Sequence, residues 1–305
     1  MTSELASPPA SLPRCDAQQI ETRVRNCPRL PSLGSVNSAL RELLNADQRY
    51  TSQIAEIIRR DPSLTARLLR LVNSVYFGFT TPINSIEEAV FFLGVRQIRQ
   101  LAMMTPIIED FQKLAGRVPF EWREFWQHCI GTAILTREVT SAFEVPSDES
   151  DYVAGLVHDV GKIVMASAFP EHFAAIQLCH KETLRDLTEI EMEVLGVDHS
   201  ELGALYLSSH RLPEMMVDAA RFHHRPHAAP RHARVIAAVQ IADLLIRHAH
   251  IGNSGDQREV TSEGWVNASG WAILCNQRSG PEKAIAEASL LRSLERLASI
   301  LDGLV

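Results

Sequence analysis

The chain has 305 residues, 46% of them hydrophobic and only 6% aromatic, enough for one large core or two modest ones. A formal charge of −7 with no basic domain argues against a dedicated nucleic-acid binder. Five scattered cysteines with no C-x-x-C pair argue against a disulfide framework, and no apolar run reaches membrane-spanning length, so a cytoplasmic protein away from membranes is expected.

Leu and Ala recur and long β-branched runs are missing, so helices are expected throughout. Residues 1–27 read as a flexible tail, Ser- and Pro-rich at first, with a short helix over 18–25. Helical apolar spacing follows at 35–44 and 51–60. Asp61-Pro62-Ser63 stops one helix and starts the next, whose stripe is Leu64, Leu68, Leu71 and Val75. Ser85-Ile86-Glu87-Glu88 forms a capping box ahead of AVFFLG, and 95–104 resumes the pattern. Residues 28–115 thus read as an N-terminal helical lobe.

A long helix is expected over 121–143 and a second over 151–166. Others follow over 171–180, 183–195, 200–208, 213–222 and 233–250. These make a second lobe, 116–250. Residues 251–305 read as a Gly-, Ser- and Asn-rich mobile loop over 252–280, with a short helix near Trp265, and a closing amphipathic helix over 281–301. The fold class is all-α: a two-lobed helical bundle without internal repeats.

The chemistry centres on GLVHDVGKIV at 155–164, which sets His158, Asp159 and Lys162 in an apolar run. Adjacent helical residues point about 100° apart, so one ion joins His158 and Asp159 only at a helix end or a distortion. Upstream, Glu124 and His128 are four apart and share a helix face. Downstream lie His199, the pair His223-His224 before Arg225-Pro226, and Asp243 in the apolar run VIAAVQIADLLIR. A carboxylate buried there is costly unless paired or metal-bound. Singly, each reads as a packed histidine with a satisfied ring or as a solvated or hydrogen-bonded carboxylate. Together they read as a constellation for a divalent transition metal (Fe, Mn or Zn), with ligands enough for two or more ions.

The order of these motifs resembles the HD-domain superfamily and, more closely, the HDOD (HD-related output domain) family over residues 28–250. The resemblance is carried by Asp61-Pro62-Ser63-Leu64, LLRLVNS with Asn73-Ser74, Ile83-Asn84-Ser85-Ile86, Ala89-Val90 and Leu93-Gly94. In the second lobe it is carried by GLVHDVGK, HSELGALYL, RLPEMM and FHHRP. It implies a signalling or regulatory module in bacteria, a family in which many members lack the full metal set and have no established turnover. Here the ligand types are intact. The set, with Glu124 and the doubled His223-His224, is similar to that of the HD-GYP phosphodiesterases, which act on cyclic dinucleotides.

By that resemblance His128, His158, Asp159 and Asp243 are core ligands, and Glu124, His199, His223 and His224 extend the site to further ions. Asp159 would also orient the nucleophile, and Lys162 would face substrate phosphate. The Gly-Tyr-Pro element is absent, since RPHAAPRHARV follows His224. The expectation is a regulatory metal-binding protein whose partner is a signalling protein or a small phosphorylated ligand. The alternative is a metal-dependent phosphohydrolase or cyclic-dinucleotide phosphodiesterase. Asn73, Ser74, Arg96 and Arg99 are interface candidates, although capping and solvated charge are the favoured explanation. Neither a G-x-S-x-G nor a P-loop is present. The oligomeric state is not encoded in any motif.

Overall fold

The computed structural model describes residues 12–27, 81–91, 118–146 and 150–301, with single positions at 55, 58, 59, 65 and 69. All regular structure among these residues is helical, in keeping with the all-α reading. Most of the expected N-terminal lobe, including Asn73, Ser74, Arg96 and Arg99, lies outside the described residues.

Helix α1 (Ala17–Asn26) begins at an Asp16–Gln19 capping box and buries Ile20 and Val24. It is tied down by Arg14, which donates to the Met192 carbonyl at 2.6 Å, and by Cys15, whose N–H donates to the Leu195 carbonyl at 3.0 Å. The helix expected near 18–25 is therefore present, and the tail reading does not extend to residues 12–27. At 86–91 a further helical segment starts at the anticipated capping box. Glu88 N–H donates to Ser85 Oγ at 3.1 Å, and Asn84 N–H donates to the Glu88 carboxylate at 3.0 Å.

The central helix is α2 (Trp122–Ala142). Its residues from Phe125 to Ala133 are buried on nearly every side, as expected of a helix with neighbours all round. It packs against α3 (Ser150–Val157), α9 (Ala233–His248) and the closing helix α12 (Gly280–Leu301). Between these run α4 (Val160–Ala168), α5 (Pro170–Thr183), α6 (Leu187–Val194), α7 (His199–Ser209), α8 (Glu214–Phe222) and a short 3-10 turn at Pro226–Ala228. Helix α7 lies against α4 and α8.

Two further expectations need correction. The helix expected over 151–166 is broken at His158-Asp159, which separate α3 from α4. Just past the break, Gly161 lies so close to α7 that an added Cβ would sit 1.7 Å from the His199 carbonyl oxygen. The chain is routed by that contact, which local periodicity does not carry. Residues 252–280 form a packed segment and not the expected mobile loop. It holds α10 (Ser262–Val266) and α11 (Ser269–Leu274), with Trp265, Trp271 and Leu274 buried.

Candidate metal centre

Helices from across the fold deliver the ionisable residues to one place. His128 comes from the second turn of α2, and His158-Asp159 from the break between α3 and α4. Lys162 lies in the first turn of α4 and His199 opens α7. His223 caps the C-terminus of α8, His224 follows it, and Asp243 lies mid-way along α9. The break matters here. It gives His158 and Asp159 the non-helical backbone that lets neighbouring side chains converge.

Asp159 is the hub. Its Oδ2 lies 3.4 Å from His158 Nε2, 3.7 Å from His128 Nε2 and 2.6 Å from Lys162 Nζ. Its Oδ1 lies 3.3 Å from His199 Nε2 and 3.6 Å from His223 Nε2. Asp243 Oδ1 closes the first side, 3.2 Å from His128 Nε2 and 4.0 Å from His158 Nε2. Two groups with metal-ligand spacing result: His128, His158 and Asp159, and His199, His223 and His224.

The outer hydrogen bonds fix the ring tautomers. His158 Nδ1 donates to the Gly155 carbonyl at 2.7 Å, and His223 Nδ1 to the Ala220 carbonyl at 2.9 Å. His199 Nδ1 donates to the Glu191 carboxylate at 2.7 Å, and the same oxygen accepts the His199 backbone N–H at 2.8 Å. A ring that donates from Nδ1 presents the Nε2 lone pair inward when neutral, the usual arrangement of a metal-ligating histidine.

Among the described residues, Asp159 Oδ1 and His223 Nε2, both buried, face each other at 3.6 Å with no hydrogen bond between them. Two electron-pair donors left face to face in a dry interior are costly, and a cation between them removes the cost. The donor set of imidazoles and carboxylates suits a divalent transition metal. The residues therefore fit the group that the sequence implies.

Electrostatics agree. Burial opposes ionisation of Asp159, yet Lys162 and His158 hold its carboxyl well below the usual range. Burial likewise opposes ionisation of Asp243, but hydrogen bonding to His128 and the charge of Arg247 keep it a carboxylate. Burial, reinforced by His158, pushes His223 down to about 3, so it is neutral and able to ligate. Burial also opposes a charge on His199, but Glu191 outweighs it and raises the ring to about 9. Without metal, a proton on His199 fills the gap to His224 Nε2, 3.0 Å away.

One candidate does not join the cluster. Glu124 is exposed in the first turn of α2, and its backbone carbonyl accepts the Asn253 N–H at 3.0 Å. Gly252, at a positive φ of 64°, packs against that same carbonyl. Spacing of four put Glu124 on the His128 face, but His128 already lies one turn in from the helix end. Sequence reasoning also missed Glu191, 1% exposed behind His199. Nothing in its EIEMEV surroundings separates it from a solvated glutamate.

Comparison with known proteins gives a class consistent with this geometry. The family model of the HDOD domain matches residues 30–226, and the chain belongs to the HDOD family. An uncharacterized protein of Treponema pallidum (strain Nichols) is 30% identical over 239 residues, 76% of this chain and 44% of its own length. The chain thus spans less than half of that relative. An HDOD domain protein of unknown function from Geobacter sulfurreducens superposes with a TM-score of 0.79 at 24% identity, covering 95% of this chain and 99% of its own. A protein of Shewanella amazonensis SB2B titled "Putative phosphohydrolase" gives 0.69 at 21% identity, covering 94% and 98%. These likenesses show a shared fold.

Proposed function

We propose that the cluster is a two-ion metal centre and that the protein acts there as a metal-dependent phosphohydrolase within a signalling family. The observation that carries this reading is the buried pair Asp159 Oδ1 and His223 Nε2, which face each other without a hydrogen bond between two histidine groups. With Glu124 outside the cluster, the donor set among the described residues supports two ions. His128, His158, Asp159 and Asp243 would hold the first. His199, His223, His224 and the other oxygen of Asp159 would hold the second.

Bound divalent ions supply Lewis-acid activation of water and of the phosphoryl group. The chain's own residues do the rest. Asp159 presents one oxygen to each group and so sets their spacing. Glu191 holds His199 with Nε2 inward. Lys162 keeps Asp159 ionised and lies on the wall of a cavity of about 680 Å³, where it can meet charge developing on phosphate. Asp159, His199, His224 and Asp243 line the same cavity, so the centre is open to a small ligand.

A second reading is a regulatory module that binds metal without turnover. It is favoured by the close tie of Lys162 to Asp159 and by the missing Gly-Tyr-Pro segment. A panel of phosphomonoesters, phosphodiesters and cyclic dinucleotides, offered to metal-loaded protein, separates the two. We expect turnover that drops to background in Asp159→Ala. Activity unchanged in that variant would end the hydrolase reading, and metal-loaded protein inert to the whole panel would favour the regulatory one.

A further inference from the structure

The cavity that opens on the centre carries its own selection by charge. Among the described residues, seven carboxylates and four cations line it. Three of those cations are already committed. Lys162 is tied to Asp159 at 2.6 Å. Arg258 grips Asp256 with two bonds, of 3.0 and 2.7 Å, and reaches Asp186 at 2.8 Å. Arg247 donates to Asp256 at 2.9 Å. The fourth, Arg225, has no carboxylate partner among the described residues, and its side chain is exposed at the cavity wall.

Its backbone is pinned. Arg225 N–H donates to the Phe222 carbonyl at 2.8 Å, its own carbonyl accepts from Ala228 N–H at 2.9 Å, and Pro226 follows. Arg225 is also the next residue after His224, so its position is fixed relative to the centre. On the same wall Arg247 is held by Asp256 and donates to the Arg258 carbonyl at 3.2 Å, which leaves Arg225 as the cation with unmet charge. An exposed guanidinium with unmet charge suits a tetrahedral oxyanion, which guanidinium groups bind through paired N–H donors.

We propose that Arg225 anchors the phosphate of a small phosphoester at the mouth of the centre. The assignment rests on the metal reading in one respect: with seven carboxylates against four cations, the wall becomes receptive to an anion once divalent ions offset the excess negative charge. The cavity of about 680 Å³ suits a compact mono- or diester.

Titration calorimetry with inorganic phosphate tests this on the full chain, beside metal content by elemental mass spectrometry on the same samples. Arg225→Ala is compared with Arg225→Lys and with Arg231→Ala, which removes an exposed cation paired with Glu214 outside the cavity. We expect metal content unchanged in all three variants. Phosphate affinity should fall about tenfold or more in Arg225→Ala, fall less in Arg225→Lys, and hold in Arg231→Ala. Equal affinity in Arg225→Ala and wild type, an equal loss in Arg231→Ala, or no phosphate binding by wild type would each overturn the assignment. Wild type without metal would defeat the metal reading and the Arg225 assignment with it, whereas metal-loaded wild type that binds no phosphate would overturn the assignment alone.

Discussion

At the scale of single residues, the centre depends on a carboxylate with two faces and on histidines whose tautomers are set from behind. Glu191 is the clearest of the outer groups, because one of its oxygens fixes both the ring and the backbone of His199. Glu191→Gln should keep the acceptor and lose the charge. In metal-free protein the His199 pKa should then drop from about 9, measurable by NMR titration of the ring. Metal affinity, read by competition with a chromophoric chelator, should fall about tenfold. A variant with unchanged affinity would reduce Glu191 to a packing role. Because a metal must displace the His199 proton, wild-type affinity should also weaken as pH falls below about 9.

At the scale of elements, the sequence was legible wherever periodicity and caps decide. The capping box at Ser85 and Glu88, the long helix α2 and the apolar helix α9 were all readable from spacing. The break at His158-Asp159 was not. Just past it, Gly161 packs on the His199 carbonyl, a contact between segments far apart in the chain that local spacing does not carry. Glu124 failed for a related reason: shared spacing with His128 says nothing about which turn reaches the interior. Two substitutions separate these effects. Gly161→Ala forces a Cβ against backbone, so it should cost about 1–3 kcal/mol or more and weaken metal binding by displacing α7. Ser85→Ala removes a cap that is no part of the cluster and should cost about 1 kcal/mol with metal content intact. Chemical denaturation beside metal analysis reads both.

At the scale of the whole molecule, residues after α9 close the structure over the site. Asp256 is the knot, within 2.9 Å of Arg247, 2.7 Å of Arg258 and 3.3 Å of His180. Burial opposes its charge, but hydrogen bonds to His180 and Arg258 and the charge of Arg247 hold its carboxyl far below the usual range. Its folded pKa therefore lies under the unfolded value of about 3.9. Its contribution to stability is complete above that value and is lost as pH falls through the folded pKa. Asp256→Asn should accordingly be less stable than wild type at pH near 7, and the gap should narrow in denaturant series run at or below about pH 3. A gap independent of pH would show that shape and not charge holds the segment. Among the described residues no single helix is long and apolar enough to cross a membrane.

The central claim is that the buried histidines and aspartates hold metal, and its most direct test is elemental mass spectrometry on protein purified without a histidine tag, beside His158→Ala and Asp243→Ala. The account predicts about two equivalents of Fe, Mn or Zn in wild type, with marked loss in both variants. Folded wild-type protein carrying no stoichiometric metal after loading, with variants that differ from it only in stability, would contradict it.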